Sequence, residues 1–317
     1  DVASRCGEKP ALLPVGAKTL AAVAGAREAF DAVCSLCIPD SGQLALLNDK
    51  AALSQLAQRL GIAVPRSFSP ELGESVAHFA ARAPLPCVVK PLCGEAFGLS
   101  AAQRYVIART PQALEEAYTR FFALTNSAPV VQEYLPGAAL GCSILAQDGR
   151  VVASIAHRRV REYPVTGGPS SCCRVADETP LLRAVCALVR ETSFSGVAMF
   201  EFKCGQDGAP RLLECNPRVW GTYPLTRAAG TNFSYLWCCA ALGEPLPDYI
   251  RPRPVKMTYQ PADLAAMLGY LLRGRIARAL GVLGSLLDPR VKNGLFEWRD
   301  AAPGLRYFAG LFRRARR

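Results

Sequence analysis

The chain has 317 residues, of which 50% are hydrophobic, and its formal net charge at pH 7 is +11. This length and hydrophobic content allow a substantial core and predict two or three subdomains. No run of 18 uncharged apolar residues occurs, so the sequence predicts no transmembrane helix.

Helices and strands alternate in the predicted secondary structure as far as residue 133, and strands dominate after it. Helix starts are marked by Asn48 and Asp49 before Lys50 and by Pro111 as a first helical residue. The predicted helices cover Lys18–Phe30, Lys50–Leu60, Glu71–Ala83, Pro111–Phe122, Pro180–Thr192 and a tail segment near Asp263–Leu287. The predicted strands cover Ala32–Ile38, Pro86–Lys90, Tyr105–Ala108, Val130–Glu133, Cys142–Ala146 and Val151–Arg161.

The basic charge is concentrated at the C-terminal end. Residues 250–317 contain fourteen Lys or Arg and four Asp or Glu, so nearly all of the excess positive charge lies there. The predicted tail helix carries Arg273, Arg275 and Arg278 among Leu, Ile and Val. This pattern suits either a helix on an anionic membrane surface or a helix packed on the core with a solvated basic face. Nucleic acid is the less favoured partner, because the segment has few aromatic residues for base stacking.

The thirteen cysteines do not form a recognisable disulfide or zinc pattern. Cys34 and Cys37 make the single C-x-x-C pair, and no second pair or histidine ligand follows at the usual spacing. Scattered free thiols favour a reducing compartment, so we expect a cytoplasmic protein. The apolar stretch Ala11–Ala26 is broken by Pro14 and Lys18 and makes a poor signal peptide.

Two consecutive predicted strands each carry an acidic residue, Glu201 on the first and Glu214 on the second. Asp207 and Gly208 between them are a strong signal for a two-residue hairpin turn. A turn at these two residues places Glu201 directly opposite Glu214, with the side chains about 5 Å apart. Asn216 falls on the same face as Glu214, because side chains alternate along a strand.

Like charges at this distance repel unless a cation lies between them. The oxygen ligands of Glu201, Glu214 and Asn216 suit magnesium, or manganese in its place, and magnesium suggests a nucleoside triphosphate. The simpler interpretation is a hairpin with two solvated acids on its outer face. Arg218, two residues beyond Asn216 and on the same face, favours the metal site.

Two lysines upstream stand where phosphates could be bound. Lys50 opens a predicted helix, and Lys90 ends a buried strand, where a lysine either reaches solvent or meets an anion. A loop with Gly94, Gly98 and Ser100 follows Lys90, and its backbone donors could cover phosphates. Neither the Walker A nor the G-x-G-x-x-G pattern is present.

Together these segments resemble the ATP-grasp superfamily, especially its branch of carboxylate–amine ligases and carbamoyl-phosphate-synthase-like enzymes. They span about residues 46–232 in the family's order, and the last is the most specific. The matching segments are Asn48–Leu53 (NDKAAL), Gly61–Pro65 (GIAVP), Val88–Pro91 (VVKP), Val131–Gly137 (VQEYLPG), Phe200–Phe202 (FEF) and Leu213–Arg218 (LECNPR).

The resemblance implies an α+β chain in which two subdomains grip ATP. The expected order is a partial αβ segment at 1–46, the first part of the ATP-grasp fold at 47–83, a mobile lid at 84–133, the catalytic subdomain at 134–249 and a basic helical extension at 250–317. The N-terminal segment is expected to be truncated, since it is about half the usual length.

The resemblance also implies roles for individual residues. Lys50 and Lys90 would contact the ATP phosphates, and Gln132, Glu133 and Leu135 would belong to the hinge that presents backbone groups to adenine. The ion held by Glu201, Glu214 and Asn216 would be Mg²⁺, and Arg218 would steady the transferred phosphate. The implied reaction activates a carboxylate as an acyl phosphate, which an amine then attacks.

The acceptor carboxylate needs a cationic clamp, and Arg159 and Arg161 on one predicted strand face are candidates. They could equally form a solvated face that pairs with nearby acids. The Thr166–Ser171 segment after them could close on a substrate or serve as a plain connection. An alternative function is a catalytically inactive, ATP-binding regulatory or scaffold protein. It is motivated by the short N-terminal segment and by Ala138–Leu140, where many relatives carry an acid.

Overall fold

A computed structural model describes residues 8–91, 99, 103–177, 179–247, 250–297 and 300–314. The fold is α+β, as predicted. In chain order the helices are α1 (Ala17–Gly25), α2 (Arg27–Asp31), α3 (Ser41–Asn48), α4 (Lys50–Arg59), α5 (Val76–Arg82), α6 (Pro111–Thr125), α7 (Thr179–Glu191), α8 (Pro224–Ala228), α9 (Phe233–Leu242), α10 (Ala262–Leu271), α11 (Ile276–Leu287) and α12 (Ala301–Arg314). The strands are β1 (Ser67–Phe68), β2 (Cys87–Lys90), β3 (Val106–Ala108), β4 (Val130–Glu133), β5 (Ala139–Gln147), β6 (Arg150–Glu162), β7 (Ser170–Val175), β8 (Gly196–Cys204), β9 (Pro210–Asn216), β10 (Lys256–Thr258) and β11 (Lys292–Asn293).

A seven-stranded sheet of order β11-β10-β7-β6-β5-β8-β9 forms the centre of the larger subdomain. Its strands pair antiparallel, except that β10 and β11 are parallel. Alternation of side chains gives the sheet two apolar faces. One face, with Met199, packs against α1 and α9, and the other, with Phe200, packs against α4 and α7. The helices cover both faces of the sheet. The site lies at the end of the sheet that carries Glu201.

A second, four-stranded antiparallel sheet of order β1-β4-β2-β3 makes a smaller unit with α5 and α6. Its core contains Phe79 from α5 and Phe121 from α6. Because β1 pairs with β4 and Phe79 is fully buried in this core, the unit begins near Ser67. The expected lid boundary at residue 84 therefore falls inside it.

Several predicted elements differ from the structure. The strand predicted at Ala32–Ile38 is wrong: Ser35 forms only an isolated bridge with Ala11, and the carbonyl of Cys37 accepts a hydrogen bond from the Trp237 indole at 2.6 Å. Helix α3 and strand β7 were not predicted. Asp40 starts α3 with a reciprocal capping box to Gln43. Helix α5 starts at Val76 rather than Glu71, because Ser75 caps it.

The predicted single tail helix is two helices, α10 and α11, because Gly274 takes a left-handed conformation with φ of 66° between them. They are joined to the sheet by a buried ion pair. The guanidinium of Arg161 on β6 binds both carboxylate oxygens of Asp263 on α10, at 2.8 and 2.6 Å, and its Nη2 also donates to Ser285 Oγ on α11. Among the described residues, no helix is long and apolar enough to cross a membrane.

Removing Asp263 leaves the Arg161 charge buried without a counter-ion, since the two side chains are 0% and 4% exposed. We expect Asp263→Ala to lower the free energy of unfolding by about 3–5 kcal/mol in urea titrations. Asp288→Ala, which breaks the solvent-exposed pair with Arg290, is the matched control and should have a much smaller effect, because water screens an exposed pair. Equal effects of the two variants would contradict the structural role of this pair.

Candidate functional site

The β8–β9 hairpin places Glu201 directly opposite Glu214, as the sequence predicts. The predicted two-residue turn is wrong, because the tip spans Gly205–Ala209 and closes with a hydrogen bond from Gly205 N to Ala209 O. Next to the tip the two strands pair one residue out of the predicted register. A β-bulge between Glu201 and Phe202 shifts the register back by one residue, so that Glu201 has its predicted partner. The bulge also makes Leu212, rather than Leu213, the residue buried on the opposite face.

A single amide bridges the two carboxylates. Nδ2 of Asn216 lies 3.4 Å from Oε1 of Glu201 and 3.3 Å from Oε1 of Glu214. Oδ1 of the same amide accepts a hydrogen bond from Nη2 of Arg218 at 3.2 Å. The two acids therefore converge on one point, which an amide donor fills.

Cations hold the outer oxygens of the pair. Lys50 Nζ lies 2.8 Å from Glu214 Oε2, and Arg159 Nη2 lies 2.9 Å from Glu201 Oε2. Lys50 is the first residue of α4, where Asp49 caps the helix by accepting bonds from two backbone N–H groups. Lys90, at the end of β2 in the smaller sheet, is near enough for the charges of Lys50 and Glu214 to act on its pKa. The site thus joins the two subdomains.

The pKa values of the two carboxyl groups, which are buried and repel each other, are shifted in opposite directions. Burial raises the pKa of Glu201 and the Glu214 charge adds to this, against the opposing effect of Arg159. For Glu214, burial acts in the same direction, but the ammonium groups of Lys50 and Lys90 and the Asn216 amide together lower its pKa. Divergent pKa values are typical of two carboxylates that share one site.

The donor set fits a hard divalent cation. The two carboxylates supply oxygen ligands, which magnesium prefers, and the Asn216 amide would add its oxygen by turning over, because its Oδ1 now faces Arg218. Within the described ranges, no group of three or more His, Cys, Asp and Glu side chains is placed to hold a metal. The predicted ligands, which include one asparagine, are therefore the candidate set.

Arg218 lies between the acidic pair and an apolar pocket. Besides Asn216, its guanidinium binds the carbonyl of Val219 at 2.9 Å, so its orientation is fixed. The pocket has a volume of about 280 Å³ and is lined by Leu20 of α1 and Leu44 of α3 as well as by Arg218. The N-terminal helices therefore contribute a wall next to the site.

The predicted hinge connects β4 to β5. Glu133 is held by two arginines, with Arg66 Nε 3.0 Å from its Oε2 and Arg211 Nε 3.2 Å from its Oε1. Its backbone N–H donates to the carbonyl of Arg66, and the side chain of Gln132 donates to Ser67 Oγ. Within the part of the chain that the structure describes, no group accepts a hydrogen bond from the N–H of Leu135.

Arg159 and Arg161, predicted as a joint clamp, are separated by the structure. A bulge between them puts Arg159 opposite Cys173 and Arg161 opposite Cys172, so the two guanidinium groups lie on different faces of the sheet. Arg159 reaches Glu201, whereas four of the five N–H donors of Arg161 are bound to Asp263, Gly281 and Ser285.

Some predicted residues cannot be placed in the site. Gly94, Gly98 and Ser100 lie outside the described residues. The Thr166–Ser171 segment is partly strand, since β7 begins at Ser170. Its Thr166 carbonyl accepts a hydrogen bond at 3.3 Å from the hydroxyl of Tyr105, which precedes β3 in the smaller unit. This segment therefore touches the lid.

Sequence analysis missed two residues of the site. Lys203 follows Glu201 by two positions on the same face, so strand alternation could have identified it. Its ammonium lies 5.4 Å from the centre of the Tyr134 ring in the hinge. Glu162 pairs with Arg159 at 3.4 Å, a contact that depends on the bulge in β6.

Burial lowers the pKa of Lys90 to about 8, and the neighbouring Lys50 charge adds to this, although Glu214 opposes it. At pH 8 about half of such a group is neutral, against about 0.4% of an ordinary lysine. We therefore expect the labelling rate of Lys90 by an amine-directed acylating reagent, measured by peptide mass spectrometry, to reach half of its own maximum near pH 8. In Lys50→Gln this midpoint should move to higher pH, because the repelling charge is lost and Glu214 is freed to pair with Lys90. A midpoint at the pH usual for lysine in the wild type would contradict this environment.

Comparisons with known proteins agree with this geometry. Residues 126–263 match the family model ATPgrasp_Ter, described as ATP-grasp in the biosynthetic pathway with Ter operon. No curated protein matches the chain significantly.

Solved structures with the same fold include three enzymes. The biotin carboxylase domain of Hydrogenobacter thermophilus 2-oxoglutarate carboxylase has a TM-score of 0.61 at 18% identity, over 80% of this chain and 58% of that one. Biotin carboxylase from Campylobacter jejuni has a TM-score of 0.60 at 15% identity, over 78% and 57%. The L-amino acid ligase of Bacillus licheniformis has a TM-score of 0.51 at 19% identity, over 69% and 52%.

The chain thus spans little more than half the length of the biotin carboxylases that it matches. At these identities the similarity establishes the fold alone. Together with the match of residues 126–263 to an ATP-grasp family model, it shows that this chain has the ATP-grasp fold.

Proposed function

We propose that the chain is an ATP-dependent, magnesium-requiring ligase that joins a carboxylate to an amine through an acyl phosphate. The observation that carries this proposal is the acidic pair Glu201 and Glu214, which converges on one point between lysines from both subdomains. Support comes from related folds, since one matching biotin carboxylase domain was crystallised with ADP and magnesium, and another match is an L-amino acid ligase.

Different described side chains would have different roles in such a reaction. Glu201, Glu214 and Asn216 would hold the magnesium ion, which would neutralise charge on the transferred phosphate. Lys50 and Lys90 would bind the phosphates, and Arg218, fixed by Asn216, would steady the phosphate as it moves. The N–H of Leu135, which has no acceptor among the described residues, is suited to bind an adenine nitrogen at the hinge.

Arg159 is the remaining candidate for the acceptor carboxylate, because Arg161 is buried elsewhere. Its guanidinium already contacts Glu201 and Glu162, so an acceptor bound there would lie beside the acidic pair. The contact of Tyr105 with Thr166 brings the lid against the same end of the larger subdomain. Closure of the lid would exclude water that hydrolyses an acyl phosphate.

Hydroxylamine trapping tests this proposal without knowledge of the natural amine. With ATP, magnesium and a panel of carboxylates, we expect hydroxamate and ADP to form with at least one acid. Glu201→Gln and Glu214→Gln should each lower the rate by about 10²–10³-fold, because charge stabilisation at the transferred phosphate is lost. Glu115→Gln, at an exposed position on α6, is the matched control and should leave the rate unchanged.

The same assay separates the ligase from an inactive ATP-binding scaffold. ATP binding without ADP or hydroxamate formation for any acid would favour the scaffold and overturn the ligase. Circular dichroism spectra of each variant at the assay temperature should match those of the wild type, so that lost activity is not lost folding.

A second candidate property is contact with an anionic membrane surface, and a specific observation favours it. Helices α10 and α11 carry large apolar side chains on their outward faces at helical spacing, each of them 41–77% exposed. They are Leu264, Leu268, Leu271 and Leu272 on α10 and its end, and Ile276, Leu280, Leu283 and Leu287 on α11.

The charged residues next to this apolar surface indicate which kind of partner it would bind. Arg273 is exposed beside it, whereas Arg275 and Arg278, also exposed, line the cavity between these helices and the sheet. The two acids of these helices and their ends are already paired, Asp263 with Arg161 and Asp288 with Arg290. An exposed apolar stripe beside an exposed arginine fits the headgroup boundary of an anionic bilayer. Peripheral association with such a surface is our proposal for this face.

Co-sedimentation with phosphatidylserine-containing vesicles tests the membrane contact. We expect the full chain to bind these vesicles more tightly than neutral ones, and Leu268→Gln with Leu280→Gln to reduce binding at least tenfold. Leu72→Gln, which is fully exposed in the smaller subdomain, should have no effect. Equal binding by the double variant, or a dimer in solution that the double variant dissociates, would contradict a membrane partner.

A further inference from the structure

A large cavity separates the seven-stranded sheet from helices α10 and α11. Its volume is about 830 Å³, within the range typical of small-molecule sites. Residues 159–162 of β6 extend beyond the first residues of β5 and have no partner on that strand, and the cavity lies along this stretch. Among the described residues, its one acidic lining residue is Glu162, and its basic lining residues are Arg158, Arg159, Arg161, Arg174, Lys203, Lys256, Arg275 and Arg278.

Three of these cations stand in one row across the sheet. Arg158 on β6 is directly opposite Arg174 on β7, and Arg174 is directly opposite Lys256 on β10. Directly paired side chains lie about 5 Å apart, and like charges in that position are destabilising. Such a row is stable only where solvent or an anion compensates it.

The described acids near the cavity are engaged elsewhere. Glu162 pairs with Arg159, and Asp263 pairs with Arg161 in the buried ion pair. Among the described residues, Arg158 and Arg174 have no acidic partner, and Lys256 Nζ donates to the neutral Ser285 Oγ at 2.8 Å. The row therefore keeps its full positive charge.

The second wall of the cavity adds to this charge. Arg275 is the N-cap of α11, and Arg278 lies in its first turn. No side chain caps this helix, and its first turn contains no acidic residue. The positive end of the helix dipole thus faces the same space as the two arginines.

The charged row and the acidic pair lie on different faces of the sheet, although the cavity also reaches Arg159 and Lys203 beside the acidic pair. Arg159 contacts Glu201 and lies opposite Cys173, which belongs to the same apolar core as Met199. Arg158 is the preceding residue of the strand, so its side chain points to the opposite face. The charged row is therefore on the other side of the sheet from Glu201.

We propose that this cavity binds a small polyanion, a molecule that carries at least two phosphate or carboxylate groups. Two separated anionic groups match a wall of three cations on the sheet and a second wall of two on α11. A single carboxylate would leave most of the row uncompensated. The inference concerns the row of Arg158, Arg174 and Lys256, and competition with ADP distinguishes it from the neighbouring ligase site, because the cavity also reaches Arg159 and Lys203.

Titration calorimetry of the full chain with tripolyphosphate, citrate and acetate tests the proposal. EDTA is present throughout, and the measurements are made at low ionic strength. We expect tripolyphosphate or citrate to bind and acetate not to bind, and the tighter of the two identifies the anionic group. The double variant Arg174→Gln with Lys256→Gln should lose at least tenfold in affinity. Arg183→Gln, at an exposed position on α7, should bind as the wild type does.

Thermal melts give an independent readout that does not depend on a fragile variant. Without an anion the double variant should melt no lower than the wild type, because the repulsion in the row is relieved. Polyanion should raise the melting temperature of the wild type and not that of the double variant. Saturating ADP should leave the binding unchanged.

Three results would overturn the proposal: no polyanion binding by the wild type, unchanged binding by the double variant, or displacement of the anion by ADP. The last result would mean that the anion occupies the nucleotide site. Since neither ATP turnover nor hydroxamate formation is measured, these results leave the proposed ligase reaction to its own test.

Discussion

The structure around the site depends on cations that compensate the repulsion between Glu201 and Glu214. Two carboxylates in direct register across β8 and β9 destabilise a hairpin unless positive charge is supplied. Here Lys50 and Arg159 supply it from two different elements, and the Asn216 amide fills the space between. The arrangement holds helix α4 and strand β6 at fixed positions around the hairpin. It also leaves a point at which a divalent ion could replace the amide donor.

The smaller subdomain is linked to this centre through few contacts. Lys90 approaches from the end of β2, Glu133 is clamped between Arg66 and Arg211, and Tyr105 touches the Thr166 carbonyl. Its own core, with Phe79 and Phe121, is separate from the two cores of the larger sheet. A unit with an independent core and a polar hinge is suited to move as a rigid body.

The inner and outer sides of the C-terminal extension differ in a way that its composition does not reveal. Its inner side is anchored by the buried pair of Arg161 and Asp263 and encloses the basic cavity, whereas its outer side exposes leucines such as Leu268 and Leu280. A buried bidentate ion pair is a poor source of net stability, because both charges lose their hydration. It fixes orientation instead, since only one placement of α10 satisfies both groups.

The sequence by itself determined the α+β class, most of the strands, and the facing of Glu201 with Glu214. Strand alternation and local turn signals act over a few residues and can be read from the chain. Even so, the register at Glu201 was predicted correctly because two unpredicted features cancel. The hairpin tip differs from the predicted two-residue turn, and a bulge compensates for the resulting shift. The role of Arg161 and the row of Arg158, Arg174 and Lys256 were decided only by tertiary structure. They depend on which strands become neighbours and where β6 bulges, and both are fixed by packing between segments that are distant in the chain.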